Sequence, residues 1–339
     1  MLVTEPLTAE NLETIAPLYE GFRREARAGY GWFLTAVDFT GLASAILTGM
    51  LQGYVLKDVV IGQSVGFLLY HIEPFEALEI KLIYLAEGVS VKIALDTVIP
   101  RFIEDIKLKP GWEVLSYPIL GEKQLPYMQY LTWYGFKPVG QSVVHFNMLD
   151  NLSVEILQQV SAKPLPEGYR IVDWSDAYQE DVISVLTESF ADSVDALWDP
   201  RFRSREGIAQ ALSFLRAGGY GVFKPSCNSI VLNPENKPVG VCLLSLISPD
   251  EANIPLIGLY KSERHRKLGT LLLAQTVKKC VLEVAAGKIT TPVVSATVAT
   301  ANVSAIRMYR QVGFLEQNWY PHVYQPKTNV LQRKEGVRC

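Results

Sequence analysis

The pattern of apolar and polar residues in the second half of the chain predicts alternating strands and helices. Apolar runs of strand length lie at YRIVDW, NSIVLN, PVGVCLLSLI, ANIPLIGLY and PVVSATVA. Helical spacing predicts helices over about 178–190, 205–217, 269–284 and 302–314. Because strands alternate with helices only in the middle of this half, we expect a mixed sheet rather than a doubly wound parallel one.

The first half of the chain repeats this plan in blurred form. Residues 64–85 resemble residues 238–260, because both share Val-Gly near their start, turn at a proline and return as a second apolar strand. Residues 127–136 resemble residues 305–314, and both segments end in Gly-Phe. Two matches in the same order, about 175 residues apart, predict the internal duplication of a whole domain.

A proline-containing segment, KPLPEG, interrupts the pattern between the two copies. We therefore predict a first domain at 1–148, a linker at 149–166, a second domain at 167–330 and a C-terminal tail at 331–339. The length of 339 residues suits two domains.

Composition and charge narrow the possible functions. Hydrophobic residues make up 49% of the chain and the net charge is −3, so we expect well-buried globular cores and no nucleic-acid partner. No apolar run reaches the roughly 18 residues of a membrane span, and no cysteine or histidine spacing predicts a metal site. Four cysteines without a pairing pattern, and an N-terminus without an apolar signal segment, predict a cytoplasmic protein.

A basic turn follows the strand ANIPLIGLY and opens a long apolar helix. It contains Arg264, His265, Arg266, Lys267 and Gly269. The N-terminus of a helix presents unpaired N–H groups and a partial positive charge, so basic side chains there are unfavourable unless an anion compensates them. A glycine in the turn would let the backbone approach phosphate oxygens. The turn therefore predicts a phosphate-containing ligand, and a solvated basic turn before a core helix is the alternative.

Two motifs carry a resemblance to a known family. The turn resembles the Arg/Gln-x-x-Gly-x-Gly/Ala pyrophosphate loop of the GNAT acetyltransferase superfamily, and the next helix resembles its motif Asn-x-x-Ala-x-x-x-Tyr-x-x-x-Gly-Phe. The second motif is matched at every position, by Asn302, Ala305, Tyr309, Gly313 and Phe314. The resemblance covers about 166–325. The first half fits only as a degenerate copy, so the layout is similar to that of tandem GNAT proteins such as mycothiol synthase.

The resemblance implies an α/β fold of two tandem GNAT-like domains, each a mostly antiparallel mixed sheet flanked by helices. It also implies an acyl-CoA-dependent N-acyltransferase that passes acetyl from acetyl-CoA to a primary amine of a small molecule or peptide by direct attack. In the turn, Lys267 replaces the first glycine of the motif. A second register starting at Arg266 would place Leu271 where glycine or alanine belongs, so we prefer the first. A non-catalytic acyl-CoA-binding regulatory module remains the alternative.

The resemblance assigns the acetyl-CoA-binding residues to the strand end, the turn and the motif helix: Leu259, Tyr260, Arg264, His265, Arg266, Lys267, Leu268, Gly269, Thr270, Asn302, Ala305 and Tyr309. It implies that Tyr309 protonates the departing thiolate. A tyrosine of pKa about 10 is protonated at pH 7, and a thiol of pKa about 8.5 leaves as an anion. Asn302 lies within about 20° of the same helix face and is expected to orient the cofactor or the helix. A core stripe with a buried tyrosine is the alternative.

The general base is missing from the strand before the turn, where many members of the superfamily carry a glutamate. Glu251, at the start of that strand, is the candidate base through a water relay, and an amine of low pKa would be the other solution. Pro255 within the strand predicts a bulge. The loop before the second predicted helix lies where the superfamily binds acceptors, so Asp195, Trp198 and Phe202 are the predicted substrate-binding residues. A solvated loop with a helix-capping acid is the alternative.

The first half lacks the corresponding chemistry. Leu131 stands at the position of Tyr309, Gln124 at that of Asn302, and AEGVSVK replaces the basic turn. We therefore predict that residues 1–148 do not catalyse acetyl transfer and serve as a scaffold or shape the substrate entrance. The sequence leaves open whether the protein is a monomer or a homodimer.

Overall fold

The computed structural model describes residues 1–30, 37–73, 76–120 and 124–332. The chain forms two compact units. The first unit comprises residues 1–140 together with the segment from Tyr320 onward, and the second unit is Gln141–Trp319.

The elements of regular structure follow in chain order. The helices are α1 (Ala16–Tyr30), α2 (Phe39–Leu47), α3 (Val91–Lys107), α4 (Gln124–Trp133), α5 (Asn151–Ser161), α6 (Gln179–Phe190), α7 (Arg205–Arg216), α8 (Leu268–Ala285), α9 (Val303–Val312) and α10 (Lys327–Gln332). The strands are β1 (Leu2–Pro6), β2 (Gln52–Asp58), β3 (Gln63–Ile72), β4 (Ala77–Leu85), β5 (Val114–Pro118), β6 (Lys137–Asn147), β7 (Arg170–Asp173), β8 (Val222–Phe223), β9 (Ser229–Leu232), β10 (Pro238–Leu246), β11 (Glu251–Leu259), β12 (Val293–Ala299) and β13 (Leu315–Pro326).

The first unit is built on a mixed sheet. Strands β1 to β4 pair antiparallel in sequence order, and β4 pairs with β5 in parallel. The end of β13, from His322, pairs antiparallel with β5. Helix α3 covers one face through a core that includes Phe102, Trp112 and Tyr117, whereas α1 and α2 cover the other face.

The second unit has the same plan. Strand β6 pairs antiparallel with β12 from Gln141 onward, and β12 pairs with β11 in parallel. Strands β11, β10, β9 and β7 continue the sheet in antiparallel order. Helices α5, α8 and α9 pack on one face, and α6 and α7 pack on the other. The expected fold, with a mostly antiparallel sheet flanked by helices in each copy, is confirmed.

The β3–β4 hairpin and the β10–β11 hairpin have the same register, which confirms the duplication. Gly66 lies opposite Leu85, and Gly240 lies opposite Leu259, 174 positions further along the chain in both strands. A Cβ atom on Gly66 would lie 2.6 Å from a Leu85 methyl group, and one on Gly240 would lie 2.4 Å from a Leu259 methyl group. Both glycines are therefore required by the same close contact between neighbouring strands.

The boundaries between the two compact units differ from the predicted domain boundaries. The predicted linker, 149–166, lies within the second unit, and most of it forms α5. Asp150 caps this helix by accepting a hydrogen bond from the Ser153 amide, and Leu157 and Val160 are buried against the second unit. The proline signal therefore marks the end of a helix. Of the predicted tail, only residues 331–332 are among those the structure describes.

The long predicted helices and strands of the second half are confirmed, and several short elements were missed. Helices α6 to α9 begin and end within a few residues of the predicted bounds. The missed elements include β8 and two 3-10 turns in the loop after α6, Asp195–Leu197 and Pro200–Arg203. None of the helices among the described residues is long and apolar enough to cross a membrane.

Candidate active site

Strands β11 and β12 pair at one end and diverge at the other. They pair only through Glu251 to Asn253, opposite Val293 to Ser295. At Ile254 and Pro255, two residues of β11 oppose the single residue Leu244 of β10, which is the predicted bulge. Because proline has no N–H group to donate, the ladder is interrupted there. Beyond this point β11 follows β10 and β12 follows β6, so a gap opens between β11 and β12.

The backbone of Leu259 faces this gap. In an antiparallel pair, successive residues turn their N–H and C=O groups alternately towards and away from the neighbouring strand. The Tyr260 amide donates a hydrogen bond to the Val239 carbonyl on β10 (3.0 Å), so the polar groups of Leu259 point the other way. Tyr260 was also predicted to bind acetyl-CoA, but both of its backbone groups already have partners within the protein. Its amide binds the Val239 carbonyl, and its carbonyl accepts a hydrogen bond from the Glu263 amide (3.0 Å).

The basic turn between β11 and α8 has an unusual backbone. His265 and Lys267 have φ angles of 65° and 63°, and they are two of the four non-glycine residues with positive φ in the described part of the chain. This left-handed conformation is one that glycine adopts readily. Lys267 is thus a lysine in the conformation of the glycine that the motif has at its position, which favours the register starting at Arg264.

Helix α8 begins without a side-chain cap. Lys267 occupies the capping position but accepts no side-chain hydrogen bond, and the first backbone bond of the helix runs from the Leu271 amide to the Lys267 carbonyl (3.1 Å). Among the described residues, the amides of residues 265–270 donate no hydrogen bond. A row of unpaired N–H groups at the start of an 18-residue helix is a site that suits an anion.

Two of the basic side chains in the turn, Arg264 and Arg266, bind other groups of the protein. The Arg266 guanidinium donates to the Tyr169 hydroxyl (2.9 Å) and lies 3.7 Å from the Glu263 carboxylate. Arg264 donates to the Ser189 carbonyl (3.3 Å). The side chains of these arginines therefore have contacts that need no ligand, and the unpaired backbone amides are the stronger sign of an anion site.

Gly269 and its neighbours have packing roles as well. A Cβ atom on Gly269 would lie 3.1 Å from Leu259 and 3.2 Å from Met308, so glycine lets α8 pack closely against β11 and α9. The Leu268 side chain is buried in the core, which leaves only its amide available to a ligand. The Thr270 hydroxyl donates a hydrogen bond to Gln311 (3.2 Å).

Asn302 is the N-cap of α9. Its side-chain oxygen accepts hydrogen bonds from the Ala305 amide (3.1 Å) and the Ser304 hydroxyl (2.9 Å), and the residue is exposed. Such a cap satisfies an otherwise unpaired N–H group. The structure therefore shows Asn302 as the cap of α9, and its role towards a cofactor stays a prediction. Ala305 is half-buried on the first turn of α9.

Tyr309 is buried, with 3% of its surface exposed. Its ring packs edge-on against Phe314, with 5.1 Å between the ring centroids. Burial raises the pKa of the Tyr309 hydroxyl above its usual value of 10, and the nearby Cys242 thiol and Asp195 carboxyl raise it further. Tyr309 therefore keeps its proton at neutral pH.

The loop after α6 contains two neighbouring acidic residues, Asp195 and Asp199. Asp199 is buried and binds Arg201, whose Nε lies 2.8 and 3.0 Å from its two carboxylate oxygens. Asp195 is partly buried, and its carboxyl interacts electrostatically with Tyr309. Phe202 stacks on Phe190 in the core between α6 and α7, with 4.4 Å between the rings. Trp198, the remaining candidate of this loop, is half-buried.

The structure does not bring Glu251 to Tyr309. Cys242, which lies near Tyr309, is opposite Ile257, six residues along β11 from Glu251. At about 3.3 Å per residue this is roughly 20 Å. Glu251 instead lies near His145 of β6. The sequence suggested Glu251 because it is the nearest acid along the chain.

Comparison with known proteins agrees with this geometry. Residues 189–314, which contain the loop after α6, the turn and α9, match the model of the acetyltransferase (GNAT) family. The second unit contains a region that matches the GNAT family. The resemblance of its two motifs is thereby confirmed, and the match indicates acyl transfer as its general activity. Among curated protein sequences, none matches this chain.

Solved structures show that the GNAT fold extends over nearly the whole chain. A GCN5-related N-acetyltransferase from Sphaerobacter thermophilus superposes with a TM-score of 0.62 at 14% identity, covering 96% of each chain. A tandem GNAT protein from the clavulanic acid biosynthesis pathway gives 0.57 at 14% identity, covering 96% of this chain and 99% of its own. A glucosamine N-acetyltransferase region of a fungal multi-domain GH3 β-N-acetylglucosaminidase gives 0.60 at 10% identity, covering 96% of this chain and 38% of that one. The layout is that of a tandem GNAT protein.

Proposed function

We propose that the second unit is an acetyl-CoA-dependent N-acetyltransferase acting on a primary amine of a small molecule or peptide in the cytoplasm. The observation that carries the proposal is the uncapped start of α8, where the amides of residues 265–270 are unpaired at the end of the gap beside β11. The named activities of two structural relatives, both N-acetyltransferases, support the same assignment. Cys227, Cys242 and Cys280 are free thiols, which supports a reducing compartment.

The residues present fit acetyl-CoA. The amides of residues 265–270 would bind the pyrophosphate, with Lys267 adding positive charge at the exposed turn. The N–H and C=O groups of Leu259, which face the gap, would bind an amide of the pantetheine arm. When bound, acetyl-CoA supplies a thioester whose acetyl group passes to the amine nitrogen, with the thiol as leaving group.

Tyr309 stabilises the leaving group in this proposal. Its pKa is raised above 10, whereas the pKa of a thiol is about 8.5, so the stable arrangement is a thiolate that accepts a hydrogen bond from a neutral tyrosine. A donor fixed by burial needs no reorganisation as negative charge develops on the sulfur. Tyr309 thus acts by hydrogen bonding, rather than by giving up its proton completely.

Calorimetric titration with acetyl-CoA tests the binding site through a charge reversal, Lys267→Glu. A negative charge at the start of α8 interacts favourably with the helix dipole, so the variant should fold at least as stably as the wild type. The same charge repels a pyrophosphate, and we expect the dissociation constant for acetyl-CoA to rise about tenfold. In Lys267→Glu we therefore expect unchanged or greater stability of the fold together with weaker binding of acetyl-CoA.

The matched control is Lys278→Glu, the same charge change at an exposed position in the middle of α8. It should leave the dissociation constant within about twofold of the wild type. Equal affinity in the wild type and in Lys267→Glu would remove the pyrophosphate from this turn. A wild-type protein that binds no acetyl-CoA would refute the proposed function.

A further inference from the structure

We propose that Tyr169 and Glu188 are positioning residues that hold the turn between β11 and α8 in its anion-binding shape. This inference rests on the proposed function, because that turn is the proposed site of the pyrophosphate. Both residues lie outside the two sequence motifs, and they contact the turn at opposite ends.

The backbone preferences of its residues do not favour the shape of this turn. His265 and Lys267 have the left-handed conformation, with φ angles of 65° and 63°. Residues other than glycine adopt this conformation at a cost in free energy, and it persists where contacts from the surrounding structure impose it. The amides of residues 265–270 donate no hydrogen bond among the described residues, so they provide no such contact. The turn therefore needs support from side chains.

Tyr169 connects the two sides of His265. Its hydroxyl donates a hydrogen bond to the Glu263 carboxylate (2.7 Å) and accepts one from the Arg266 guanidinium (2.9 Å). One oxygen atom thus binds a side chain that precedes the left-handed His265 and a side chain that follows it. The hydrogen bond to Glu263 raises the pKa of the Tyr169 hydroxyl above its usual value of 10, so the hydroxyl keeps its proton at neutral pH.

Tyr169 is itself held in place. Its amide donates a hydrogen bond to the Pro166 carbonyl (3.1 Å), and its ring packs against the core beneath α8 and α9. The side chain of its partner Glu263 is only 13% exposed, so the hydrogen bond between them is partly shielded from water. A hydroxyl fixed in this way limits how far the turn can move when no ligand is bound.

Glu188 holds the other end of the turn. Its carboxylate accepts a hydrogen bond (2.8 Å) from the amide of Lys261, the first residue of the 3-10 turn Lys261–Glu263. The next residue of α6, Ser189, lies close to β11, since a Cβ atom on Gly258 would be 2.8 Å from its hydroxyl oxygen. The end of α6 therefore fixes the place where β11 ends and the turn begins.

The charge of Glu188 makes positioning distinguishable from an electrostatic role. A carboxylate in the last turn of a helix interacts unfavourably with the helix dipole, and a carboxylate beside an anion site repels the ligand. Charge alone therefore predicts tighter binding of acetyl-CoA when Glu188 is replaced by alanine. Positioning predicts weaker binding, because the Lys261 amide loses its partner. The sign of the change in affinity separates the two roles.

Calorimetric titration of the full chain with acetyl-CoA tests both residues. Tyr169→Phe removes only the hydroxyl and should raise the dissociation constant about fivefold, because the turn must then become ordered on binding. Glu188→Ala should raise it about threefold. In Glu188→Gln the amide oxygen still accepts the hydrogen bond, so the dissociation constant should return to within about twofold of the wild type. The kcat at saturating acetyl-CoA should be unchanged in all three variants.

The matched controls are Tyr178→Phe, at the start of α6, and Glu206→Ala, in the first turn of α7. They make the same changes to a tyrosine and an acid of the second unit that do not contact the turn. Both controls should bind acetyl-CoA as the wild type does.

A second measurement needs no ligand. Backbone nitrogen-15 relaxation should give residues 264–267 of the wild type order parameters of about 0.85, as in rigid backbone, and values below about 0.6 in Tyr169→Phe. The order parameters of α8 beyond its first turn should be the same in both proteins. A turn that is already flexible in the ligand-free wild type would overturn the proposal.

The outcomes separate this inference from the proposed function. Equal affinity for acetyl-CoA in the wild type, Tyr169→Phe and Glu188→Ala would overturn the positioning role and leave the donor site intact. Tighter binding by Glu188→Ala, or a lower kcat with unchanged affinity in either variant, would overturn the role of that residue. A wild type that binds no acetyl-CoA would refute the proposed function and, with it, the role of both residues towards a donor.

Discussion

The two units share the hairpin that leads to the strand–turn–helix segment and differ in the turn between its second strand and the helix. In the first unit, five residues join β4 to α3, and the Ser90 side chain caps the helix by accepting a hydrogen bond from the Ile93 amide (3.5 Å). In the second unit, eight residues join β11 to α8, and the helix start is uncapped. The proposed anion site thus depends on the turn and not on the hairpin, which both units have.

The units also differ in the charged side chains on the second strand of the hairpin, which is β4 in the first unit and β11 in the second. In the first unit, Glu79 and Lys81 stand where the second unit has Asn253 and Pro255, and Lys81 contacts Glu79 at 3.2 Å and Glu73 at 2.6 Å. In the second unit the Asn253 side chain donates to the Ser295 hydroxyl (2.9 Å). The first unit therefore compensates its carboxylates internally, whereas the second keeps an uncompensated one, Asp195, on a loop.

The largest effect expected from this comparison concerns the tyrosine. Tyr309→Phe removes the hydroxyl that Leu131 of the first unit also lacks, and should lower kcat about 10²- to 10³-fold with little change in acetyl-CoA affinity. Steady-state kinetics and calorimetry measure the two quantities. The control is Tyr127→Phe, a buried tyrosine of the first unit. Unchanged turnover in Tyr309→Phe would show that the tyrosine is only a core residue.

Opposite pH dependences of stability are expected from Asp195 and Glu73. The pKa of Asp195 is about 6 in the folded protein and about 3.9 when unfolded, so its contribution destabilises the fold as pH rises from about 4 to 6. Asp195→Asn should therefore raise the free energy of unfolding by about 1–2 kcal/mol at pH 7.5 and leave it unchanged at pH 4.

Glu73 should behave in the opposite way. Burial acts to raise its pKa, but His71 and Lys81 together lower it to about 2. Its contribution to stability is present above the unfolded pKa and is lost as pH falls from about 4 to 2. Glu73→Gln should lower the free energy of unfolding at pH 7 and have little effect at pH 2. Urea titrations at these pH values measure both variants, and equal signs for the two at neutral pH would contradict the comparison.

The smallest effects are expected at the two helix starts. Ser90→Ala removes the cap of α3 and should lower the free energy of unfolding by about 0.5 kcal/mol. Lys267→Gly relieves the left-handed backbone at the start of α8 and should raise it by about 1 kcal/mol. Thermal and urea unfolding measure both changes. A loss of stability in Lys267→Gly would mean that the lysine side chain supports the turn.

Local signals predicted the parts of the fold and site that depend on neighbouring residues. The repeated hairpin follows from a glycine that allows close strand contact, and Pro255, which has no N–H to donate, marks the position of the bulge. The helix α5 also has a local signal, since Asp150 precedes an apolar face with Leu157 and Val160, but the proline segment after it gives the stronger signal for a linker.

Long-range contacts were beyond prediction. The pairing of β13 with β5 joins segments about 200 residues apart, and no local pattern fixes its register. The divergence of β11 from β12 depends on which strands pair with each, and the pairing of Asp199 with Arg201 decides which of two acids is left uncompensated. Spacing along the chain could suggest Asp195 as a contact of the substrate but could not set its protonation.

A crystal structure of the full chain with bound CoA is the best test of the proposed donor site. We expect one CoA per chain, with its pyrophosphate on the amides of residues 265–270 and its thiol near Tyr309, and none at the Ser90-capped start of α3. A CoA bound at the first unit, or one whose pyrophosphate lies away from α8, would refute this site.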